Sequence, residues 1–292
     1  MNILSFDIEE WYLEDTLYGG RSWRMAQFDG TLDRVLSKLE DTGARATFFC
    51  LGRMAAEYPS VVRRIAEAGH DIGCHSDRHL WLTNMTPDEL RRDTTDAIAA
   101  LEDIAGGKVT SFRAPAFSIT PENPWAVEVL AECGIESDAS IFPSSRDIGG
   151  YPSFPTDRPC RVSYRGAELK EYPVPVMTAP GRKVAFSGGG YFRILPYGLI
   201  SREMAGRDYN ICYFHLLDLI HEKVKMKSRA EYEEYFKEPG TLKNRLARYI
   251  KTNIGSGNAE KKLFRLLGGR KFISVSQADG MIDWSGVELI EL

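Results

Sequence analysis

Short apolar runs alternate with amphipathic stretches along most of the chain. Turn-forming residues bound each run, so the runs predict β-strands. The predicted strands cover residues 2–8, 46–51, 70–75, 110–114, 135–138, 172–176, 210–215 and 271–276. Because helical patterns fall between them, we expect parallel strands with helices packed on the outside.

The predicted helices have recognisable ends. Residues 86–89 (TPDE) supply an N-cap threonine, a first-turn proline and a capping-box glutamate, and this helix continues to Gly106. Two further helices are predicted over residues 59–68 and 122–133, each followed by a glycine that can end a helix.

Residues 144–190 are less regular and rich in proline and glycine. We expect an irregular insertion here, with a hairpin around residues 159–172. Neither a linker nor an internal repeat divides the chain, so residues 1–292 are expected to form a single domain.

Composition narrows the class of protein. With 43% hydrophobic and 27% charged residues, the chain resembles an ordinary globular protein. No apolar run approaches the roughly 20 residues of a membrane span. The five cysteines lack a paired spacing, which favours a reducing compartment. The first residues show no basic and apolar leader pattern, so we expect a cytoplasmic location.

Polar residues cluster at the carboxyl ends of the predicted strands. Five of these ends carry seven such residues: Asp7, Glu9, His75, His79, Arg113, Asp138 and His215. In a barrel of parallel strands these ends meet on one face, where active sites are built. The pattern therefore favours a distorted (β/α) barrel over an open sheet.

The segment 75–79 (HSDRH) holds two histidines four residues apart. One helical turn after the strand would direct both imidazoles to the same side. At the end of the first strand, alternation sends Asp7 and Glu9 to one face and Ile8 to the other. Two imidazoles and one carboxylate form a ligand set for zinc or another divalent ion, which lowers the pKa of bound water towards about 7.

Four segments occur in the order and spacing of known motifs: SFDIEEW at 5–11, GCHSDRH at 73–79, SFRAPAF at 111–117 and YFH at 213–215. With them the chain resembles the polysaccharide deacetylase (NodB-homology) superfamily, strongly over residues 2–140 and onwards to the final strand. Residues 186–193 (FSGGGYFR) are similar to a branch associated with exopolysaccharide and O-antigen biosynthesis. The resemblance implies an α/β fold, a distorted barrel of about seven parallel strands, and metal-dependent hydrolysis of an N-acyl group on an amino sugar.

The resemblance also implies roles for individual residues. Asp7 matches the general base, and Arg113 matches the arginine that pairs with the base and holds its orientation. His75 and His79 match the two metal-binding histidines. His215 matches the general acid that protonates the departing amine.

The chain departs from the family pattern at two positions. Most members carry adjacent aspartates, but Ile8 occupies the second place, so Glu9 is expected to supply the carboxylate ligand. Ala116 stands where an aromatic residue usually follows the proline. Its backbone N–H still suits the family's oxyanion contact, and Phe117 is expected to replace the missing stacking wall.

Further residues are expected around the site. Asp138 is expected to orient His215 or another site group, and Glu10 to be solvated. Trp11 fits either a wall of a sugar pocket or a cap of the barrel. The candidate substrate-binding residues are Trp11, Ala116, Phe117, Gly189, Tyr191 and Arg193.

Charge is unevenly distributed, although the net charge is only −4. Residues 243–271 contain nine basic side chains against one acid, Glu260. This basic region fits a solvated pair of helices. It also fits a surface that binds anionic lipid, and so makes peripheral contact with a membrane, or one that binds a phosphate-bearing substrate. Nucleic acid is not expected as a partner, because aromatic residues do not alternate with the charges.

Three functions remain open. The first is deacetylation or deformylation of a nucleotide-linked or lipid-linked amino sugar for a surface polysaccharide, with a divalent metal for which Zn²⁺ best matches the ligands. The second is hydrolysis of a small cyclic or linear amide, as in allantoinase-like relatives. The third is a catalytically silent carbohydrate-binding relative, which the complete set of base, ligands, arginine and acid disfavours.

Overall fold

A computed structural model describes residues 1–13, 23–146, 148–179, 181–220, 225–236, 238–255 and 257–292. Its strands are β1 (Asn2–Ile8), β2 (Thr47–Cys50), β3 (Asp71–Cys74), β4 (Ser111–Phe112), β5 (Ser137–Asp138), β6 (Cys160–Tyr164), β7 (Ala167–Glu171), β8 (Val176–Ala179), β9 (Arg182–Ala185), β10 (Asn210–His215) and β11 (Leu289–Glu291). Its helices are α1 (Trp23–Thr42), α2 (Gly52–Glu57), α3 (Pro59–Glu67), α4 (Pro87–Ala105), α5 (Ala126–Glu132), α6 (Gly189–Ile194), α7 (Tyr197–Ala205), α8 (Leu216–Leu219), α9 (Arg229–Phe236), α10 (Leu242–Asn253), α11 (Ala259–Gly269) and α12 (Val275–Asp279). Short 3-10 turns cover Leu82–Asn84, Pro115–Phe117 and Trp284–Gly286.

Seven parallel strands form the wall of a barrel. Their order is β10-β1-β2-β3-β4-β5-β7, and every neighbouring pair in this run is parallel. The sheet continues from β7 through antiparallel β6 to β11, and no ladder among the described residues joins β11 back to β10. The expected distorted (β/α) barrel is confirmed, and strands from both halves of the chain share its sheet.

Alternation along β1 separates the barrel interior from the layer of helices. Phe6 and Ile8 are fully buried in the large hydrophobic cluster that includes the helices, whereas Ile3 belongs to a second cluster inside the barrel. Ser5 and Asp7 share the inner face with Ile3 because they lie two and four residues further along the strand. Ile8 therefore packs away from the barrel mouth, as expected.

The predicted capping box and glycine helix ends form, but the helix expected over residues 122–133 begins only at Ala126. At the start of α4, Thr86 Oγ1 accepts from the Glu89 amide at 3.3 Å while Glu89 Oε2 accepts from the Thr86 amide at 2.8 Å. Gly106 ends this helix with a left-handed φ of 69°. Gly69 and Gly134, with φ of 76° and 86°, follow α3 and α5 in the same conformation.

Two predicted strands are wrong. Of residues 172–176 only Val176 lies in a strand, because Pro173 and Pro175 lack the N–H that a ladder requires. The barrel strand is β7 instead, which pairs with β6 in the hairpin expected near residues 159–172. Residues 271–276 contribute a single bridge, between Ile273 and β1, before α12 begins.

Among the helices of the described residues, none combines sufficient length with sufficient hydrophobicity to cross a membrane.

Candidate active site

Asp7 and Arg113 form a buried ion pair inside the barrel. Arg113 Nη1 donates to Asp7 Oδ1 and to Ser5 Oγ, each at 2.8 Å, and its Nε donates to the Ala139 carbonyl at 3.1 Å. The guanidinium carbon lies 4.3 Å from the centre of the Phe49 ring. Because Arg113 is fully buried, these contacts leave the Asp7 carboxylate one orientation.

Glu9, His75 and His79 bring three metal-ligand side chains together. Glu9 Oε2 lies 2.6 Å from His79 Nε2 and 3.6 Å from His75 Nε2. The ligand atoms of the three residues all lie within 4.8 Å of one another. His75 Nδ1 lies 2.7 Å from the carbonyl oxygen of Arg113, an acceptor that requires the proton on Nδ1. His75 Nε2 is therefore the nitrogen with a free electron pair, directed at Glu9.

The segment 75–79 is a loop rather than the helical turn expected from the histidine spacing. Ser76 and His79 have positive φ angles of 71° and 59°, a conformation that side chains disfavour. Ser76 Oγ accepts from the His79 amide at 3.0 Å, and the Asp77 amide donates to Asp93 of α4 at 2.8 Å. The two imidazoles are thus brought together by a loop with left-handed backbone at Ser76 and His79, which side-chain hydrogen bonds hold in place, and not by the periodicity of a helix.

His215 ends β10 and faces both carboxylates of β1 and its extension. Its Nε2 lies 3.4 Å from Glu9 Oε1 and 3.9 Å from Asp7 Oδ2. Asp218 accepts from the His215 amide at 3.2 Å and lies 3.3 Å from the ring Nδ1. Arg193 places its Nε 3.3 Å from Asp218 Oδ1, and the substrate contact expected for it stays a prediction. Arg193 is therefore an anchor for Asp218.

Sequence reasoning missed Asp218. A signal was nevertheless present, because an acidic residue three positions after His215 has the spacing of a capping box at a strand-to-helix junction. The helix that follows is a single turn of four residues, too short to give a periodic pattern.

The carboxyl groups at the barrel mouth are held ionised. Burial by itself raises the pKa of Asp7, but the charges of Arg113 and His215 outweigh it and hold this pKa below its usual value. Burial also raises the pKa of Glu9, and His79 together with His215 holds it well below the usual range.

The charge on His215 is favoured in turn. Partial burial lowers the pKa of its imidazole, but Glu9 and Asp218 outweigh burial and raise the pKa well above the ordinary value. The pKa of Asp218, the partner of His215, is shifted in the opposite direction. Burial raises the pKa of Asp218, but His215 and Arg193 outweigh burial and hold this pKa below the usual value. His215 is thus prepared to carry a proton beside two carboxylates.

Asp138 does not contact His215. Its Oδ1 accepts from Ser140 Oγ at 2.5 Å, and Ser140 Oγ accepts from the Ala114 amide at 2.7 Å. Burial raises the pKa of Asp138, and burial together with Asp138 raises the pKa of the adjacent Glu171 well above its usual range. This carboxyl pair therefore holds a proton, and it supports the backbone after Arg113 instead of orienting His215.

Glu10 and Trp11 are both interior residues. Glu10, expected to be solvated, is 5% exposed and accepts from the Leu217 amide at 2.9 Å. Burial raises its pKa to about 7. Trp11 is 2% exposed and packs edge-on against Phe28. The expectation that Trp11 lines a sugar pocket is wrong, because a helical turn over residues 10–13 directs its ring into the core.

Phe117 does not offer a free ring face to a sugar. It is 4% exposed, and its ring centre lies 5.4 Å from that of Phe142 and 5.0 Å from that of Tyr213, both edge-on. Ala116 and Phe117 both have φ of 56°, and this turn directs the ring into the aromatic cluster. The stacking role expected for Phe117 is therefore wrong, whereas Ala116 stays partly exposed and its oxyanion contact stays a prediction.

The glycine run 188–190 packs on a neighbouring strand. A Cβ at Gly188 would lie 2.3 Å from the Tyr213 carbonyl oxygen, and the two residues form a parallel bridge. Gly189 is buried, has φ of 52° and begins α6. The run therefore forms a packed junction before α6, and the substrate contact expected for Gly189 stays a prediction. Tyr191 is half-buried against the Phe117 cluster, and its substrate contact stays a prediction.

The site combines one carboxylate held by an arginine, three metal-ligand side chains, and one imidazole held by an aspartate. A base, a metal-ligand set and an acid within reach of one another have the composition of a metal-assisted hydrolytic site.

Two family models match the chain. Residues 23–137 match the family described as polysaccharide deacetylase, and residues 139–279 match a domain of unknown function, DUF3473. The match of residues 23–137 to the polysaccharide deacetylase model agrees with the resemblance seen in the motifs of the chain. The link of the chain to exopolysaccharide and O-antigen biosynthesis stays a prediction.

Individual relatives share only part of the chain. A peptidoglycan-N-acetylglucosamine deacetylase of Bacillus cereus is 36% identical over 97 residues, which are 32% of this chain and 35% of that protein. A chitooligosaccharide deacetylase of Azorhizobium caulinodans is 38% identical over 97 residues, 33% of this chain and 43% of that protein. The chain thus spans less than half the length of these relatives.

The fold extends over the whole chain. The crystal structure of a candidate polysaccharide deacetylase from Mycobacterium smegmatis aligns with 100% of this chain and 92% of its own, with a TM-score of 0.63 at 21% identity. This likeness concerns the fold alone.

The site is assembled from both matched segments. Residues 23–137 contain the two metal-ligand histidines and Arg113, whereas residues 139–279 contain His215 and Asp218. The strand β1, which leads into both carboxylates, precedes the two segments. The His215–Asp218 pair therefore belongs to the segment of unknown function.

Proposed function

We propose that this chain hydrolyses an N-acyl amide, acetyl or formyl, on an amino sugar destined for a surface polysaccharide. The observation that carries the proposal is the convergence of three groups at one barrel mouth: the Glu9–His75–His79 cluster, the Asp7–Arg113 pair and the His215–Asp218 pair. Each of the three supplies a different requirement of amide hydrolysis.

The residues present fit a divalent metal ion. Glu9 Oε2 is buried and accepts no hydrogen bond from the described residues, although two imidazole nitrogens lie near it. A carboxylate oxygen and two imidazole nitrogens suit Zn²⁺ better than a hard cation such as Mg²⁺. A cation held there would supply Lewis acidity and lower the pKa of water at the site.

Asp7 acts as the base in this proposal. Arg113 keeps its carboxylate ionised and holds Oδ1, so Oδ2 is the oxygen free to take a proton from the attacking water. The carboxylate is 3% exposed, so bulk water does not compete for that oxygen.

His215 acts as the acid. Amide cleavage expels an amine, a poor leaving group unless its nitrogen is protonated as the bond breaks. Asp218 holds Nδ1 of the ring and raises its pKa, which leaves Nε2 facing Asp7 and Glu9 as the proton donor.

Support for an N-acyl amino sugar comes from the family and from the names of two relatives, which act on N-acetylglucosamine of peptidoglycan and on chitooligosaccharide. We extend this to a nucleotide-linked or lipid-linked amino sugar as the substrate.

The experiment measures acetate and formate released by the purified chain, with and without Zn²⁺, from nucleotide-linked, lipid-linked and oligomeric N-acyl amino sugars. We expect metal-dependent release of one of these acids. Release from none of the substrates would contradict the proposed reaction.

Metal content gives a separate readout of the ligand assignment. Glu9→Ala should lose bound metal as measured by mass spectrometry, because the remaining two imidazoles leave the ion without its anionic ligand. Glu57→Ala, which removes an exposed glutamate of α2, is the matched control and should retain it. Full metal occupancy in Glu9→Ala would make the assignment of the third ligand wrong.

A further inference from the structure

An apolar stripe faces outwards on α10. Leu242, Leu246 and Ile250, with Ile254 just beyond the helix, are 65%, 46%, 51% and 44% exposed. Because the four residues recur every fourth position, they lie along one side of the helix. We call them the α10 stripe.

The polar side of α10 faces the protein instead. Asn244 Nδ2 donates to the Pro239 carbonyl at 2.9 Å. The Arg248 guanidinium lies 3.6 Å from the Glu238 carboxylate and 4.5 Å from the centre of the Phe236 ring, at the end of α9. A surface helix normally buries its apolar side and exposes its polar side. The reversed orientation of α10 indicates that its apolar side meets something outside the described chain.

The stripe is joined to the acid side of the site. A Cβ at Gly255 would lie 2.6 Å from the carbonyl oxygen of Arg193, so the end of the stripe abuts α6. Lys262 of α11 donates to the carbonyls of Phe192, Arg193 and Leu195 at 2.8–3.1 Å. These hydrogen bonds attach the C-terminal end of α6 to α11. Ile194 at this junction is itself 51% exposed.

The charge of α10 itself is positive. The helix carries Lys243, Arg245, Arg248 and Lys251 and no acidic residue, and Lys243 is exposed. Two copies of this chain facing each other through the stripe would bring like charges together, whereas anionic lipid headgroups would be attracted. The combination of apolar and basic residues on one surface is that of helices that lie in a membrane interface.

We propose that the α10 stripe, together with the basic residues of α10, binds the surface of an anionic membrane. The apolar side chains enter the boundary between headgroups and acyl chains, and Lys243 contacts lipid phosphates. Docking in this way would bring the acid side of the site, through α6, towards the membrane. This binding does not require the proposed hydrolysis, so each is tested independently.

The test is co-sedimentation of the full chain with vesicles of phosphatidylglycerol and phosphatidylcholine, compared with phosphatidylcholine alone. We expect binding to the anionic vesicles that weakens as salt is added. Leu246→Ser/Ile250→Ser should lower the partition coefficient on the order of 10-fold or more, because two of the four apolar anchors are lost. Lys243→Ala should lower it by about five-fold.

The matched control is Met281→Ser/Leu289→Ser, which removes two other exposed apolar side chains, 70% and 48% exposed, outside the stripe. It should bind vesicles like the unchanged protein, and thermal melting checks that each variant is folded. No binding to anionic vesicles, or equal binding by the stripe variant, would overturn the proposal. A dimer in sedimentation equilibrium that the stripe variant abolishes, without vesicle binding, would also overturn it and assign the stripe to a second copy of the chain.

Discussion

The two sides of the site use the same pair of charges in different surroundings. On the base side Asp7 pairs with Arg113, and these side chains are 3% and 0% exposed. On the acid side Asp218 pairs with Arg193, each 10% exposed, beside a His215 side chain that is 33% exposed. The base-side pair is built at strand ends inside the barrel, whereas the acid-side pair is built on the short helices α8 and α6.

This difference has consequences for both stability and catalysis. A charge inside the barrel cannot be solvated when its partner is lost, whereas a charge near the surface is partly compensated by water. A rigid, enclosed carboxylate suits a base that takes its proton in one direction. A more exposed imidazole suits an acid that must reach a leaving group and recover its proton from solvent.

The largest expected effect is on kcat, and substrates with different leaving groups distinguish the proposed base from the proposed acid. Asp7→Asn should lower kcat by about 10²–10⁴-fold on both an N-acetyl amino sugar and an aryl acetate ester. His215→Asn should cause a comparable loss on the amide alone, because an aryl oxide leaves without protonation. Steady-state kinetics on the two substrates measures the contrast. Equal losses for His215→Asn on amide and ester would contradict its role as the acid.

Replacing Arg113 and Arg193 in turn compares how much each of the two ion pairs contributes to the free energy of unfolding. Arg113→Met should lower the free energy of unfolding by about 3–5 kcal/mol, because Asp7 is left as a buried, uncompensated carboxylate. Arg193→Met should lower it on the order of 1 kcal/mol, because Asp218 keeps the His215 ring and amide as partners. Urea unfolding measures both values. Equal losses would show that the remaining partners of Asp218 do not compensate for the lost arginine.

Asp218→Asn tests how the acid is positioned. We expect kcat on the amide to fall by about 10–100-fold, since the partner of Nδ1 no longer carries a charge. Asp218 raises the pKa of His215, and an acid must be protonated, so the loss of activity with rising pH should begin at lower pH in the variant. The pH–rate profile measures this shift.

Asp208→Asn, an exposed aspartate before β10, is the control for that experiment. It should leave both kcat and the profile unchanged. If Asp218→Asn lowered kcat without moving the profile, its effect on the charge of His215 would be disproved.

The smallest expected effect concerns the proton held behind Arg113. The pKa of Glu171 is raised by folding, so above its ordinary value of about 4.3 the folded state binds more protons than the unfolded state. The free energy of unfolding therefore falls as pH rises from there through the folded pKa. Glu171→Gln removes the titrating carboxyl group and with it this pH dependence of the free energy of unfolding. The glutamine can still accept a hydrogen bond from the Ile141 amide, as Glu171 does at 3.0 Å. The variant should be more stable than the unchanged protein by about 1 kcal/mol near pH 8, and by less near pH 5.

Urea unfolding at the two pH values measures that difference. Glu168→Gln, on the part-exposed face of the same strand, should give no pH-dependent difference. An equal stability change for Glu171→Gln at both pH values would contradict the protonated pair.

Residues at strand ends were predictable because their position follows from local pattern. Alternation in β1 directs Asp7 inwards and Ile8 outwards, and parallel strands bring the carboxyl ends together. His75, His79 and His215 meet the two carboxylates of residues 7–9 for that reason. The roles of these residues in catalysis stay predictions until the variants are measured.

The surroundings of the site were less predictable. Trp11 and Phe117 are large aromatic residues next to motif residues, and the same side chains suit a sugar wall or a core. Packing against Phe28 and against Tyr213, from distant parts of the chain, decides for the core. Glu10 is similar, because its burial depends on the Leu217 amide, a partner more than two hundred positions away.

By itself the sequence determined the parallel strands that carry the site residues, the helix caps, the inward face of β1 and the resemblance to the polysaccharide deacetylase family. These depend on periodicity, turn chemistry and motif spacing, which act over a few residues. Only the tertiary structure decided that Asp218 and Arg193 hold His215, that Asp138 supports the Arg113 loop, and that the apolar side of α10 faces outwards. Each of these depends on which distant atoms share a buried volume, since burial and pairing are properties of the packed chain and not of any local segment.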